Sequence, residues 1–198
     1  MNDAAQIPDE ALAEPPEVQE RNLWLGVRVM AGVTIMFFLA FVFAYFYLRS
    51  LNNADRWRPP SVDPPQAYGA AIVILFVVSA ALFAYADRAA RKARAWLPAA
   101  GAALALGLAG CVVQAFEYAH LGFDPTRGGY ASVFLGWTLL FALFVIFAMY
   151  WVEITFATGL RHRHDAEAYL PLGLDAAAFY WTLLAVIGVI AWGILYLL

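Results

Sequence analysis

The sequence has one cysteine, Cys111, and three histidines, His120, His162 and His164. One thiol cannot close a disulfide within the chain, nor can it build a cysteine-ligated zinc or iron–sulfur centre. Charge is scarce as well: charged residues make up 14% of the 198, against 64% hydrophobic, and the mean hydropathy is +0.68. Soluble domains carry about 25% charged and about 45–50% apolar residues, and disordered chains are more polar still, so both classes are excluded. The formal net charge of -3 supplies no basic face for a nucleic-acid partner. Residues 1–20 contain no Lys or Arg but hold Asp3, Asp9, Glu10, Glu14, Glu17 and Glu20. A secretory signal needs a positive start ahead of an apolar run, and an amphipathic anchor needs basic residues opposite an apolar face. The stretch has neither, and residues 1–22 are expected to form an acidic, disordered cytoplasmic tail.

What the sequence does have is long apolar runs. Five segments, at about residues 24–48, 67–86, 96–118, 132–156 and 176–198, each approach or exceed the roughly 20 residues that a helix needs to cross a bilayer. Strands would be half as long and would alternate in polarity. Residues 23–198 are therefore predicted to form one all-α, polytopic transmembrane domain, a five-helix bundle. Its connections are punctuated by Pro59, Pro60, Pro64 and Pro65, by Pro98 in the first turn of the third helix, by Gly128-Gly129, and by Asp175 at the expected N-cap of the fifth. Eight basic residues (Arg21, Arg28, Arg88, Arg91, Lys92, Arg94, Arg161 and Arg163) fall on one side and four (Arg49, Arg56, Arg58 and Arg127) on the other. That asymmetry predicts the N-terminus inside. No internal repeat of the inverted-transporter kind is evident.

In the third helix, Ala99, Ala103, Gly107, Cys111, Ala115 and Ala119 recur every four residues, a small-residue ridge of the kind that lets membrane helices approach closely. Gly107→Leu is accordingly expected to weaken assembly more than Gly188→Leu, which lies outside any such ridge.

Ionisable residues at membrane depth are the main test for chemistry. Glu117 lies near the outer end of the third helix and shares a face with Gln114 and Tyr118. Its functional reading, a contact to a partner or lipid, stands beside a plain hydrogen-bonded helix end. Glu153 lies near the inner end of the fourth helix, and pairing with Arg28 or reaching to the interface is the structural expectation for it. The histidines fall on opposite sides of the membrane and cannot ligate one haem. A metal at His162 and His164 competes with an ordinary solvated loop. No Ser–His or paired-Asp arrangement supports a hydrolase, and no relay of acids supports a transporter.

The residues by themselves thus describe a five-helix membrane protein without an active site of its own. Three stretches carry a resemblance. Leu25-Gly26, Met36-Phe37-Phe38, Ala44-Tyr45-Phe46 and Leu48-Arg49 resemble the first helix of the short, five-helix bacterial form of subunit III of the haem–copper respiratory oxidases, the cytochrome c oxidase subunit III family. Gln114-Ala115-Phe116-Glu117-Tyr118 resembles the family's glutamine–aromatic–Glu–aromatic segment, and Gly173 to Trp181 resembles the start of its last helix. The chain departs from the family where a membrane-buried Glu is replaced by Thr34, where two histidines after Gly136 are replaced by Thr138 and Phe141, and where a His and an Asp of the last helix are replaced by Thr182 and Ala185.

The resemblance implies an accessory subunit with no cofactor in this chain. It implies haem and copper in a partner catalytic subunit I, other oxidase subunits, bound phospholipid, membership of a respiratory supercomplex, and a multi-pass location in a bacterial inner membrane. The electron donor would be cytochrome c or quinol. A subunit-III-like protein of a nitric oxide reductase and a small transporter are the alternatives. Gln114, Glu117, Tyr118, Gly107 and Thr34 are the candidate contacts to lipid, partner or neighbouring helices.

Overall fold

A computed structural model describes residues 15–51, 57–163 and 172–198. Among them the regular structure is entirely helical: α1 (Pro16–Ser50), α2 (Gln66–Ala90), α3 (Leu97–Ala119), a single 3-10 turn (Pro125–Arg127), α4 (Gly129–Arg161) and α5 (Leu174–Trp192), which runs on into a π turn (Gly193–Leu197). All five long helices are long and apolar enough to cross a membrane. Helices are the natural outcome, because a backbone in lipid must satisfy its N–H and C=O groups within its own segment.

The side-chain bonds set the helix directions. The start of α2 meets the end of α5, where Gln66 Nε2 donates to Tyr196 O at 2.6 Å. The start of α4 reaches the same place, where Tyr130 Oη donates to Leu195 O at 2.5 Å. At the opposite end, Trp24 of α1 and Arg91 at the end of α2 both bond Asp175 at the start of α5. Successive helices therefore alternate in direction. α5 is the most buried helix and α1 the least. α2 pairs most extensively with α3, α5 contacts α1, α2 and α4, and α1 leans on α4 and α5. The α1–α4 contact is aromatic: Phe38 lies edge-on to Phe141 and Phe144, with centroids 5.9 and 5.4 Å away. The i, i+4 row Phe37, Phe41, Tyr45 is part of that packing.

Three expectations change. α1 begins at Pro16, so residues 16–22 of the expected tail are helical; residues 1–14 lie outside the described residues. Pro16 at the first helical position and Glu17 in the first turn suit a helix N-terminus. The 35-residue helix is about 52 Å long at 1.5 Å per residue and outruns a hydrocarbon core of about 30 Å. Asp175 is not the N-cap of α5. Gly173 holds that position at φ +82°, a conformation that disfavours a side chain. Asp175 instead ties three helices together. One carboxylate oxygen accepts from Trp24 Nε1 at 2.7 Å and from Arg91 Nη2 at 2.9 Å, while Arg91 Nε also bonds Asp87 at 3.0 Å. The hydrogen bond that Arg91 donates to Asp175 raises the Arg91 guanidinium above its ordinary pKa. Finally, no ion pair joins Arg28 and Glu153 among the described residues. Arg28 sits over the Trp24 ring at 5.5 Å, and Glu153 is exposed.

Candidate functional site

The clearest polar centre inside the bundle is built around Glu117. This residue is completely buried and lies in the last turn of α3, two residues from its end. Gln114 Nε2, three residues earlier on the same face, donates to one carboxylate oxygen. Tyr196 Oη, from the π turn that ends α5, donates to the other. The end of α5 is itself held from two sides. The last carbonyls of a helix lack partners within it, and here Tyr130 of α4 and Gln66 of α2 supply donors to Leu195 O and Tyr196 O. Four helices therefore meet at the end of α5, and two of them, α3 and α5, are joined through the buried carboxyl group. A buried carboxylate held this way is strongly anchored, since hydrogen bonds to ionised groups are about twice as strong as neutral ones.

The loop before α2 closes over this end. Trp57 is buried and packs edge-on to Tyr45 and Tyr130, with centroids 5.1 and 5.9 Å away. Tyr130 N donates to Trp57 O at 2.9 Å. Arg58 lies 4.6 Å from the Tyr130 ring centroid and bonds Asp63 at 2.7 Å.

The candidate residues do not form one site. Gln114 and Glu117 are together. Tyr118 turns away to a groove between α3 and α4 beside Cys111 and Leu139, and its hydroxyl makes no bond to Glu117. Thr34 is fully buried on α1, where its hydroxyl donates to Met30 O at 2.7 Å. That uses its only hydrogen, so the 2.9 Å contact with Tyr180 Oη has the tyrosine as donor. Thr34 thus forms a neutral α1–α5 clasp at the position where the resemblance leads one to expect a buried Glu. Gly107 lies elsewhere again, against Trp181 of α5. Trp181 Nε1 donates to Ser79 Oγ at 3.0 Å, and Ser79 Oγ donates to Ala103 O at 2.6 Å, which knits α2, α3 and α5.

The four-residue ridge is only partly the packed face. The buried residues of α3 are Ala100, Ala103, Gly107, Gly110, Gln114 and Glu117, spaced three and four apart as a 3.6-residue period requires. Ala115 and Ala119 face outward. Within the bundle Gly188 is packed as closely as Gly107. A Cβ at Gly107 would meet Trp181 at 3.0 Å, and one at Gly188 would meet Phe141 at 3.0 Å. Gly107→Leu and Gly188→Leu should therefore destabilise the protein comparably in thermal unfolding, by about 1–3 kcal/mol of overpacking each. A Gly188→Leu protein with wild-type stability beside a damaged Gly107→Leu protein would restore the ridge.

Among the described residues, no three His, Cys, Asp or Glu side chains gather closely enough to hold a metal ion. His120 stacks on Tyr68 at 5.8 Å. The His162/His164 pair falls partly outside the described residues.

The model of the family described as cytochrome c oxidase subunit III matches residues 14–198. The chain belongs to this family. Relatives include a probable cytochrome c oxidase subunit 3 of Rickettsia conorii, 25% identical over 176 residues that cover 81% of this chain and 62% of the relative. The cytochrome c oxidase subunit 3 of Hippopotamus amphibius is 23% identical over 171 residues, covering 83% of this chain and 65% of the relative. That of Pylaiella littoralis is 29% identical over 171 residues, covering 82% and 61%. The chain thus spans a little under two thirds of the length of these relatives. Family membership agrees with an all-helical membrane bundle.

Sequence reasoning found the Gln114–Glu117 pair through its i, i+3 spacing. It missed Tyr196 and Gln66, which are brought in from 79 and 51 residues away (196 − 117 and 117 − 66), and it missed the Trp24–Asp175–Arg91 tie. The four basic residues between Arg88 and Arg94 were the available signal for an acidic partner in that tie.

Proposed function

We propose that this chain is an accessory, non-redox subunit of a haem–copper terminal oxidase, stabilising the catalytic subunit in aerobic respiratory electron transfer. The observation that carries this reading is the family match across nearly the whole chain. The large apolar side chains exposed on α1 and α4, among them Leu25, Val29, Met36, Phe43, Leu143 and Phe147, support it, because such surface must be covered by lipid or by another membrane protein. Haem and copper belong to the partner catalytic subunit in this reading, and cytochrome c or quinol is the electron donor. The chain lies in a bacterial inner membrane with its N-terminus inside, other oxidase subunits surround it, and the complex joins a respiratory supercomplex.

Phospholipid is the second part of the proposal. A groove of about 700 Å³ runs between α1 and α4, lined by Val27, Met30, Leu143, Phe144, Phe147 and Trp151. Its nearly unbroken apolar lining is suited to an acyl chain.

The orientation follows from the basic asymmetry, and reporter fusions after residues 53, 93, 124 and 166 should alternate outside, inside, outside, inside. An inside signal at 124 would overturn it. The function itself is tested by purifying the oxidase from cells lacking this chain. The expected enzyme keeps its haem spectrum and its initial turnover number but loses activity faster during turnover. A complex with unchanged lifetime, or one whose haem is lost with this chain, would contradict the assignment.

A further inference from the structure

A small cavity of about 40 Å³ lies inside the bundle beside the Glu117 network, lined by residues of α2, α3, α4 and α5. Its walls include Gln114, Trp137, Thr138, Trp192 and Tyr196 together with Phe76 and Phe141. Two buried indole nitrogens, Trp137 Nε1 and Trp192 Nε1, find no hydrogen-bond partner among the described residues. Trp137 is 1% exposed, so lipid and bulk solvent do not reach it. Buried donors are almost always satisfied in native proteins, by protein or by ordered water, and the need is greater in a membrane span.

Both orphan donors belong to residues that line the same cavity, and the cavity also offers acceptors. The Thr138 hydroxyl gives its hydrogen to Phe134 O at 2.8 Å, and its oxygen, which also faces the Tyr118 hydroxyl, keeps a lone pair to accept with. Tyr196 gives its hydrogen to Glu117, and its oxygen is free in the same sense. Gln114 donates through Nε2 to Glu117, and its carbonyl oxygen is an acceptor by nature. One buried water makes about three hydrogen bonds and needs roughly 10–15 Å³ of accessible space, so the cavity has room for up to about three or four. The mixture of donors and acceptors fits a molecule that is both.

We infer that this cavity is an internal hydration site, holding an ordered water cluster that satisfies Trp137 Nε1 and Trp192 Nε1. The cluster extends the Gln114–Glu117–Tyr196 network into the middle of the bundle. This reading stands on the geometry of the chain alone and does not depend on which complex the chain joins.

Two measurements on the assembled wild-type complex test it. A density map fine enough to show ordered waters should contain two or three within about 2.7–3.2 Å of donors and acceptors on the cavity wall, and one fewer in Trp137→Phe. With indole nitrogens labelled in a lipid nanodisc, Trp137 and Trp192 should give magnetisation-transfer peaks to water. Trp181, whose indole is spent on Ser79, should give none and serves as the internal control. Two results would overturn the inference. One is a continuous acyl-chain density in the cavity. The other is a dry cavity with indoles as silent as Trp181, or turned to donate to backbone carbonyls.

Discussion

Replacing Glu117 by leucine is expected to be the most damaging single change in the bundle. The carboxyl group receives Gln114 Nε2 on one oxygen and Tyr196 Oη on the other, and the site is wholly buried. Leucine fills similar space but accepts neither hydrogen. A buried donor left without a partner costs about 1–3 kcal/mol, so two cost about 2–6 kcal/mol. The loss falls on the α3–α5 junction, and through Tyr196 on Gln66 of α2, so the whole end of the bundle should loosen. Glu117→Gln is the informative companion. Its side-chain oxygen satisfies one of the two donors, so it should retain roughly half of the lost stability, and the charge-assisted part of the bonds disappears. Thermal unfolding of the complex and the half-life of its activity in detergent measure both variants. The initial turnover number should stay near wild type, because no reacting group is assigned to this chain. A Glu117→Leu protein as stable as wild type would remove Glu117 from the structural role. A large immediate drop in turnover with assembly intact would give Glu117 a part in proton transfer.

Gly69→Ala is expected to produce a similar lesion from the other side of the network. A Cβ at Gly69 would lie 2.6 Å from Tyr196 Cζ, closer than van der Waals contact permits. The ring cannot swing aside freely. Its hydroxyl is held by Glu117, its backbone carbonyl by Gln66, and its face meets Phe134 edge-on at 5.4 Å. One added methyl group should therefore cost about 1–3 kcal/mol by overpacking, together with the bond from Tyr196 to Glu117. The specific signature is coupling. If Gly69→Ala acts by displacing Tyr196, then Gly69→Ala combined with Tyr196→Phe should be less damaging than the sum of the two, by about 0.5–3 kcal/mol. Additive losses would mean that Gly69 matters for some other reason. Gly193→Ala is the control, since a Cβ there meets nothing within 4 Å, and it should be neutral or slightly stabilising.

The contrast between Glu117 and Tyr196 shows what was legible in the sequence. Gln114 and Glu117 lie one turn apart on one helix, so spacing alone put them on one face. Tyr196 lies in the π turn that ends α5 and reaches Glu117 only through the tertiary fold, and no local pattern points from one to the other. The same division runs through the fold. The five apolar runs located the helices, but the polar ends of α1 and α4 extended well beyond them. Hydropathy reports the part of a helix that sits in lipid and is blind to helix that continues into water. The small-residue row in α3 was drawn at a strict spacing of four, which drifts around a 3.6-residue helix. The packed face instead follows Ala100, Ala103, Gly107, Gly110, Gln114 and Glu117. Asp175 looked like a cap because it stood at the start of a helix. Its Oδ1 does accept from Ala176 N at 2.8 Å in the first turn of α5, but Oδ2 bonds Trp24 and Arg91, which lie 151 and 84 residues away (175 − 24 and 175 − 91). Thr34 is the instructive substitution. Where the family places a buried acid, this chain has a hydroxyl whose bonds to Met30 O and Tyr180 are complete, so that place carries no charge to satisfy.

The assignment to a terminal oxidase is tested most directly by affinity purification of the full-length chain from its native membrane in mild detergent, with identification of the co-purifying chains and a visible spectrum of the product. The expected product contains a catalytic haem–copper subunit in stoichiometric amount, shows reduced-minus-oxidised haem bands, and consumes oxygen with cytochrome c or quinol. The same chain expressed alone should show no Soret band. Recovery of the chain without any haem-bearing partner, or a stoichiometric haem retained by the isolated chain, would contradict it.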